Sequence, residues 1–352
     1  MRIGSSKLAG SMIVAFGLVA SLGSRTFAQS TIKIDGSSTV FPITEAVAEE
    51  FQNAEKKSGA NTKVTVGSSG TGGGFKKFVR GEIDISNASR PILAKEMDEA
   101  AANKIEYIEL PVAFDALTVM VNPKNDFIKQ FTVAELKKIW EPEAKGKVMK
   151  WSDVNPAWPA EPLKLYGAGS DSGTFDYFTE AINGKSKASR PDYTASEDDN
   201  TLVQGIAGDK NALGYFGFAY YAENQAKLKA VPIVNAEGKA VMPGDASVKD
   251  GSYNPLARPI FIYINKKSLE RPEVKRFVQF FLTHGSDMAK EVKYIPLPSD
   301  AYVKGMERLN KQQTGTAFGG HSETGLHIDE LFKRPLVSTV TKKDEPKKQE
   351  KK

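Results

Sequence analysis

Residues 31–47 read TIKIDGSSTVFPITEAV, and this stretch decides the fold class. Residues 31–35 alternate between apolar and polar side chains, which predicts a short strand. A turn of glycine and hydroxyl residues follows at 36–39, and Pro42 then begins a helix in which Ile43 and Val47 share one apolar face. A strand, a small polar loop and a helix together form the repeating unit of α/β folds.

The same unit recurs along the chain. Hydrophobic patterns predict strands at 63–66, 83–86, 105–110, 116–121, 164–166, 213–216 and 259–264. Helices are predicted after the glycine-rich residues 67–74, near Ser172, and from Pro272 onward, where Val274, Phe277, Val278 and Phe281 form an apolar stripe. The sequence therefore predicts an α/β fold with largely parallel strands and flanking helices.

Two lobes are the expected organisation. Residues 29–115 together with 259–335 form the first predicted lobe, and residues 116–258 form the second, with β-rich runs near residues 114–121 and 258–264 as the crossings. Residues 336–352 are rich in lysine and glutamate and lack apolar periodicity, which predicts a disordered basic tail.

The net charge of +5 lies at the ends of the chain. Residues 1–28 carry a net charge of +3, residues 341–352 carry another +3, and the remaining body has a net charge of −1. A basic protein that binds nucleic acid concentrates positive charge on its folded surface. The sequence therefore predicts no nucleic-acid partner.

The N-terminus has the pattern of a cleavable export signal. Arg2 and Lys7 precede the uncharged, apolar residues 8–24, and Thr26-Phe27-Ala28 before Gln29 is a small-x-small cleavage site. Glycine and serine residues interrupt the apolar stretch, which falls short of the roughly 20 residues that span a membrane. We expect residues 1–28 to be a signal peptide and the mature protein to be soluble and periplasmic.

Cysteine is absent from the chain. A lipid anchor on a cysteine, a zinc-thiolate site and a cysteine nucleophile are therefore all excluded. An exported domain without disulfides depends on a sizeable apolar core, which a chain of this length can bury.

Three loops share one design, in which small hydroxyl residues and glycines lie between a strand and a helix. We call residues 36–39 the first loop, residues 67–74 the second loop and residues 169–174 the third loop. Unpaired backbone N–H groups and the helix dipole at such positions favour an anion, and the hydroxyl groups add donors. The alternative is that each hydroxyl group only caps its helix. Three loops that converge would surround a small tetrahedral oxyanion.

Motifs for catalysis are weak. The second loop lacks the Gly-Lys-Ser/Thr of a P-loop, and the residues around Ser172 do not fit the G-x-S-x-G elbow. His284, His321 and His327 lie far in sequence from the three loops. His321 and His327, with acidic neighbours, could form a metal cluster, although a solvated loop explains them more simply. The sequence predicts neither an enzyme nor a cofactor, and it leaves metal binding by these histidines open.

Four segments resemble one family, the periplasmic phosphate-binding proteins of the ABC-type phosphate uptake system. These are residues 34–42 (IDGSSTVFP), 67–73 (GSSGTGG), 85–91 (ISNASRP) and 171–175 (DSGTF). Further likeness lies at Trp140, at residues 150–153 and in the proline-rich residues 155–159. The combination in this order covers most of the chain after the signal peptide.

The resemblance implies a two-lobed periplasmic-binding-protein fold of the type II kind, with mixed sheets, flanking helices, a two-strand hinge and dehydrated phosphate in the cleft. It also implies the phosphate contacts, which match the three loops: Ser38, Thr39 and Val40 from the first loop, Ser68 from the second, and Ser172, Gly173 and Thr174 from the third.

The chain departs from the family pattern at two charged positions. Many members place an aspartate, which accepts the proton of hydrogen phosphate, after the serine that corresponds to Ser89, and this chain has Arg90. The same members carry an arginine three residues before the position of Asp171, and this chain has Ala168. We interpret Arg90 as relocated positive charge, bidentate to the anion, whose removal weakens phosphate binding by about tenfold or more; a salt bridge at the surface or between the lobes is the alternative. Asp171 or the acidic residues 197–199 are the candidates for the missing acceptor.

The leading hypothesis is a monomeric periplasmic phosphate receptor that closes on its ligand and docks on a membrane ABC permease. Three alternatives remain open: a receptor for another oxyanion such as sulfate, a phosphate sensor, and, with less support, a phosphoester hydrolase.

Overall fold

The structure is a computed structural model that describes Met1 and residues 30–170, 172–196, 198–321, 323 and 326–339. The predicted signal peptide, except for Met1, lies outside the described residues, as do Asp171, Glu197 and the predicted tail from residue 340 onward.

Twelve strands are described. In chain order they are β1 Ser30–Gly36, β2 Thr62–Val66, β3 Ile85–Ala88, β4 Tyr107–Val121, β5 Phe131–Thr132, β6 Lys164–Ala168, β7 Thr194–Ser196, β8 Ala212–Gly217, β9 Lys229–Ala230, β10 Ile233–Val234, β11 Ala240–Val241 and β12 Ala257–Asn265.

Twelve α-helices flank these strands in the described part of the chain. They are α1 Phe41–Lys57, α2 Thr71–Phe78, α3 Ala94–Ala102, α4 Val133–Trp140, α5 Trp151–Val154, α6 Gly173–Asn183, α7 Asp199–Gly208, α8 Phe218–Glu223, α9 Asp245–Lys249, α10 Pro272–Glu291, α11 Ser299–Asn310 and α12 Ile328–Lys333. Short 3-10 helices lie at Pro142–Ala144 and Lys266–Glu270.

The main sheet is mixed, with strand order β2-β1-β3-β12-β4-β8-β6-β7, and β9 also pairs with β4. Pairing is parallel around β1 and around β6, whereas β12 and β4 pair antiparallel with their neighbours. A small sheet of β11, β10 and β5 lies apart from it. The predicted α/β class with flanking helices is confirmed.

Strand β4 connects the two halves of the main sheet. Its residues through Ala116 pair with β12, and its residues from Leu117 onward pair with β8. The strand order is continuous because β4, alone among the described strands, pairs in both halves. The partner changes close to the predicted lobe boundary at 115/116, and the boundary itself stays a prediction.

One prediction about β4 is wrong. The sequence predicts two strands, 105–110 and 116–121. The structure has one strand of 15 residues, Tyr107–Val121. Pro111 faces Phe261 where the register between β4 and β12 shifts, and such a bulge accommodates a proline within a sheet.

Most other elements lie close to their predicted positions. The predicted strand 83–86 is β3, displaced to Ile85–Ala88. The predicted stripe of α10 is fully buried at Val274, Phe277, Val278 and Phe281. No helix in the described ranges is long and apolar enough to cross a membrane.

Candidate functional site

The first loop leaves two backbone donors without a partner at the start of α1. The N–H groups of Val40 and Phe41 both donate to the Ser37 carbonyl, at 3.2 and 3.0 Å. The N–H groups of Ser38 and Thr39 have no acceptor among the described residues. These two donors point to an anion site at the helix start.

The second loop leads into α2 through Gly70, whose φ of +77° is in the left-handed region that favours glycine. A Cβ on Gly74 would lie 2.5 Å from Gly36 Cα, so the glycine allows α2 to pack closely against the end of β1. The Thr71 hydroxyl accepts the N–H of Ser89 at 3.1 Å. This contact ties the start of α2 to the residue that follows β3.

The third loop touches the first. Ser172 caps α6, because its hydroxyl accepts the N–H of Thr174 at 3.1 Å. A Cβ added to Gly173 would lie 2.1 Å from Thr39 Oγ1 and 2.7 Å from Ser38 Oγ. Only glycine therefore permits this approach of α6 to α1.

Two cavities meet at this contact. The loop cavity, of about 320 Å³, is lined by Ser37, Ser38, residues 69–73, Ser89, Arg90, Gly173, Asp176, Tyr177, Glu180, Ser186, Lys187 and Arg258. The hinge cavity, of about 380 Å³, is lined by Ser38, Thr39, Pro42, residues 114–116, 172–174 and 292–295, Asp199, Gly217, Phe218 and Tyr220. Ser38 and Gly173 border both cavities.

Most of the predicted contact residues lie together at this junction. Ser38, Thr39, Ser172, Gly173 and Thr174 all line the hinge cavity. The Thr39 hydroxyl is buried and has no hydrogen-bond partner among the described residues. The structure brings the first and third loops together, and their binding of an anion stays a prediction.

Two predicted contact residues, Val40 and Ser68, line neither of the two cavities. Val40 is fully buried, and its N–H donates to Ser37 rather than into a cavity. Ser68 is exposed and lines neither cavity, whereas its neighbour Ser69 lines the loop cavity. Two groups of Ser69, its N–H and its hydroxyl, donate to Asp35 at 3.0 and 2.8 Å. Asp35 therefore fixes which serine of the second loop faces the cavity.

Arg90 borders the loop cavity, but its guanidinium is already engaged. Its two Nη atoms donate to Glu96 at 2.9 and 2.8 Å, and Nη1 also donates to the Pro91 carbonyl at 3.0 Å. Glu96 also accepts the N–H of Leu93 at 2.9 Å, at the start of α3. Arg90 is thus in a salt bridge, although with a partner in the same predicted lobe and not at the open surface, and the predicted contact of Arg90 with an anion stays a prediction.

Two charged residues that the sequence reasoning missed lie at the same junction. Arg258 of β12 is the register partner of Asp115 of β4, and Arg258 Nε is 3.8 Å from Asp115 Oδ2. The guanidinium carbon lies 3.5 Å from the centre of the Tyr177 ring. Arg258 Nε and Nη2 and Asp115 Oδ2 are buried and have no hydrogen-bond partner among the described residues.

Burial dominates the electrostatics of this pair. It raises the pKa of the Asp115 carboxyl, and the positive charge of Arg258 acts in the opposite direction. Burial likewise lowers the pKa of Arg258, an effect that Asp115 offsets. A sequence signal existed: each residue is a single charge in a strand that is otherwise apolar, where an unpaired charge is costly.

The histidine segment near the C-terminus offers no metal site in the described ranges. No three histidine or acidic residues there are arranged to hold a metal ion. Glu323 and Glu330 pair with Arg334, and Asp329 pairs with Lys304.

Comparison with known proteins gives consistent matches. Residues 24–284 match a family model described as "PBP superfamily domain". The chain is 51% identical over 305 residues to Protein SphX of Synechococcus elongatus, which covers 87% of this chain and 89% of that protein. It is 37% identical over 285 residues to Phosphate-binding protein PstS of Staphylococcus saprophyticus, which covers 80% and 85%.

Solved structures agree. A possible phosphate binding protein from Planctomyces limnophilus is 52% identical, with a TM-score of 0.74, and the match covers 81% of this chain and 100% of that one. An ABC-type phosphate transport receptor from Vibrio cholerae, 21% identical with a TM-score of 0.60, shares the fold.

Proposed function

We propose that this chain, which belongs to the PBP superfamily and within it to the PstS-like phosphate-binding proteins, binds inorganic phosphate in the cleft between two lobes and delivers it to a membrane ABC permease. The two-lobed fold of this family agrees with a main sheet whose halves, as far as the described strands go, share only β4. In this proposal the protein is a receptor without catalytic activity, exported to the periplasm and monomeric.

The convergence of helix starts on one junction is the observation that carries the proposal. Helices α2 and α6 begin with small hydroxyl or glycine residues that border the loop cavity or the hinge cavity, and α1 is preceded by Ser38 and Thr39, which also border them. Hydrogen bonds to a charged group contribute about 1.5 to 3 kcal/mol each. Because the body of the chain has a net charge of −1, the affinity must arise from such local donors and not from the overall field.

The proposed phosphate contacts are the residues predicted from the sequence, but we do not expect them to contribute equally to the affinity. Ser38, Thr39, Ser172, Gly173 and Thr174 border the junction directly. Val40 and Ser68 are proposed as secondary contacts that depend on a rearrangement of their loops, and Arg90 is proposed as a weaker contact because both of its Nη atoms are bonded to Glu96.

Closure of the lobes is the proposed mechanism. The lobes are taken as residues 29–115 with 259–335 and residues 116–258, with β4 and β12 as the hinge strands. Contacts that connect them in the structure include the approach of Gly173 to Thr39, the pair of Asp115 and Arg258, and an ion pair between Lys293 and Glu223 of α8. A ligand that contacts both lobes favours the closed state because its affinity for that state is greater.

Calorimetric titration of the purified, phosphate-free protein with inorganic phosphate tests the proposal. We expect binding with a Kd of about 1 µM or below, since a handful of charge-assisted bonds exceeds the roughly 8 kcal/mol that this affinity requires. A titration without heat, together with a melting temperature that phosphate leaves unchanged, would overturn the proposed function.

Gly173→Ala tests whether the junction is the site. The added Cβ would lie 2.1 Å from Thr39 Oγ1, so the first and third loops cannot approach, and we expect phosphate affinity to fall by at least about tenfold. The matched control is Gly208→Ala at the end of α7, where an added Cβ meets nothing within 4 Å. Equal affinities of the two variants would place the phosphate site elsewhere.

A further inference from the structure

The buried pair Asp115 and Arg258 has hydrogen-bonding capacity that the rest of the protein does not use. Asp115 is 3% exposed, and the side chain of Arg258 is 10% exposed. Their closest polar atoms, Asp115 Oδ2 and Arg258 Nε, are 3.8 Å apart and have no hydrogen-bond partner among the described residues. Buried polar groups are normally satisfied, because an unsatisfied one costs about 1–3 kcal/mol or more.

Another carboxylate of β4 shows the ordinary arrangement. Glu109 is fully buried and accepts hydrogen bonds from Tyr263 at 2.6 Å, from Thr316 at 2.5 Å and from the N–H of Ala317 at 3.0 Å. Asp115, on the same strand, has no such set of donors. The difference marks Asp115 as a group available to a ligand.

The pair borders both cavities of the site. Asp115 lines the hinge cavity together with Thr39 and Thr174, and Arg258 lines the loop cavity. The two cavities share Ser38 and Gly173. An anion bound where the first and third loops meet is therefore flanked by a carboxylate on one side and a guanidinium on the other.

We propose that Asp115 accepts the proton of monohydrogen phosphate and that Arg258 donates to its oxygens, so that the hinge pair selects phosphate over sulfate. The inference rests on the proposed function and assigns the specificity of that same site. An ionised carboxylate can only accept hydrogen bonds, and monohydrogen phosphate has one O–H to donate. Sulfate has no proton, so its oxygens would face the carboxylate without a hydrogen bond and be repelled. Arg258 supports this role, because a positive charge at 3.8 Å favours the ionised carboxylate.

The other carboxylates near the site are less suited. Asp35 and Glu96 are already paired, with Lys77 and Arg90 respectively. Asp176 Oδ1 also lacks a hydrogen-bond partner among the described residues, but the side chains of Asp176 and Glu180 are 38% and 40% exposed, whereas that of Asp115 is 5% exposed. In the part of the chain that the structure describes, Asp115 is the carboxylate that is both deeply buried at the site and unsatisfied.

Competition titration with phosphate and sulfate, at a pH where monohydrogen phosphate predominates, tests the inference on the full chain. The measured quantity is the ratio of the sulfate Kd to the phosphate Kd. Because an asparagine amide can donate to sulfate, we expect Asp115→Asn to lower this ratio by at least about tenfold. We expect Arg258→Lys to weaken both anions together, by about tenfold, and to leave the ratio within threefold of the parent value.

Glu109→Gln is the matched control, because it neutralises a buried carboxylate of the same strand that lines neither cavity. It should leave the ratio unchanged even if it lowers stability. Urea unfolding of each variant verifies its fold, and Asp115→Ser provides a second substitution if the asparagine variant does not fold.

The outcomes separate the two proposals. If the parent protein does not bind phosphate, the proposed function and this inference both fail. If the parent binds phosphate but does not discriminate against sulfate, or if the Asp115 variants keep the parent ratio within threefold, only the inference is overturned. A lowered ratio in the Asp115 variants, with the parent ratio in Glu109→Gln, supports it.

Discussion

Two arginine–aspartate pairs in this protein have the same chemistry and opposite surroundings. Arg190 is buried and donates to both oxygens of Asp192, at 2.7 and 2.8 Å, and its Nη1 donates to the Val148 carbonyl at 2.8 Å. Arg258 is similarly buried, yet it lies 3.8 Å from Asp115, and two of its nitrogens have no partner among the described residues.

The difference separates structure from recognition. A buried charge with a complete set of hydrogen bonds holds chain segments together, and Arg190 links its own loop to the end of α4 and to Val148. A buried charge with open hydrogen-bonding positions costs free energy in the folded protein, and a ligand that fills those positions recovers it. Stability and ligand affinity should therefore respond in opposite ways when each pair is broken.

The largest expected effect is on stability, from Arg190→Ala. The change removes a buried charge, its two hydrogen bonds to Asp192 and its bonds to two carbonyl groups, so we expect the free energy of unfolding to fall by about 3–5 kcal/mol. Urea denaturation measures this, and phosphate affinity of the folded variant should be unchanged. The control is Arg80→Ala, whose pair with Glu82 is about half exposed and should contribute little. A loss for Arg190→Ala no larger than that of the control would contradict its structural role.

Arg258→Met should have the reverse result. Phosphate affinity should fall by about 10- to 100-fold, because the anion loses charge-assisted hydrogen bonds. The free energy of unfolding should fall by less than in Arg190→Ala, because Nε and Nη2 of Arg258 make no hydrogen bond in the described part of the chain, and the Asp115 carboxyl left behind, whose pKa burial already raises, can take up a proton. Calorimetry and urea denaturation of the same preparation measure both quantities. A variant that unfolds easily but binds phosphate normally would make Arg258 a structural residue like Arg190.

The sequence was informative where the chemistry is local. The first and third loops were predicted from glycine and hydroxyl residues between a strand and a helix, and the structure places them in contact. The order of the segments also identified the family. Within the second loop the sequence named Ser68 as a phosphate contact, which stays a prediction, whereas the residue that lines the loop cavity is Ser69, which also donates two hydrogen bonds to Asp35.

The sequence could not predict what depends on long-range pairing. Asp115 and Arg258 meet only because β4 and β12 are register partners, and that register includes a shift next to Pro111. Arg90 was predicted to contact the anion because of its position in a motif. In the structure its guanidinium is hydrogen-bonded to Glu96 at the start of α3, a contact that the motif does not indicate. A single charge inside an apolar strand was the available signal, and it indicates a partner without identifying it.

The dependence of the free energy of unfolding on acidic pH tests the pair of Arg190 and Asp192 through its carboxylate. Arg190 holds the pKa of Asp192 down at about 2, below its ordinary value of 3.8. The unfolded chain therefore binds more protons between these values, so the pair stabilises the fold above about pH 4, and this contribution is lost as pH falls towards 2. We expect Asp192→Asn to remove about 1–2 kcal/mol of this pH-dependent stability.

Urea denaturation between pH 2 and pH 6 measures that slope. Asp287→Asn, at a largely exposed carboxylate, is the control and should retain the parent slope. Curves for the parent and Asp192→Asn that run parallel throughout this range would show that the pair does not couple folding to protonation.

The smallest expected effect is that of Arg90→Gln. It tests whether Arg90 is a structural residue like Arg190 or a ligand-binding residue like Arg258. The sequence alone predicts a loss of about tenfold or more in phosphate affinity, from a bidentate contact with the anion. With both Nη atoms bonded to Glu96, few donors remain for the anion, and Glu96 neutralises most of the charge. We therefore expect a loss of about tenfold at most, smaller than that of Arg258→Met. A second variant, Glu96→Gln, sharpens the test. If Arg90 contacts phosphate, its release from Glu96 should raise the phosphate affinity. An unchanged affinity in both variants would show that Arg90, like Arg190, stabilises the fold without binding the anion.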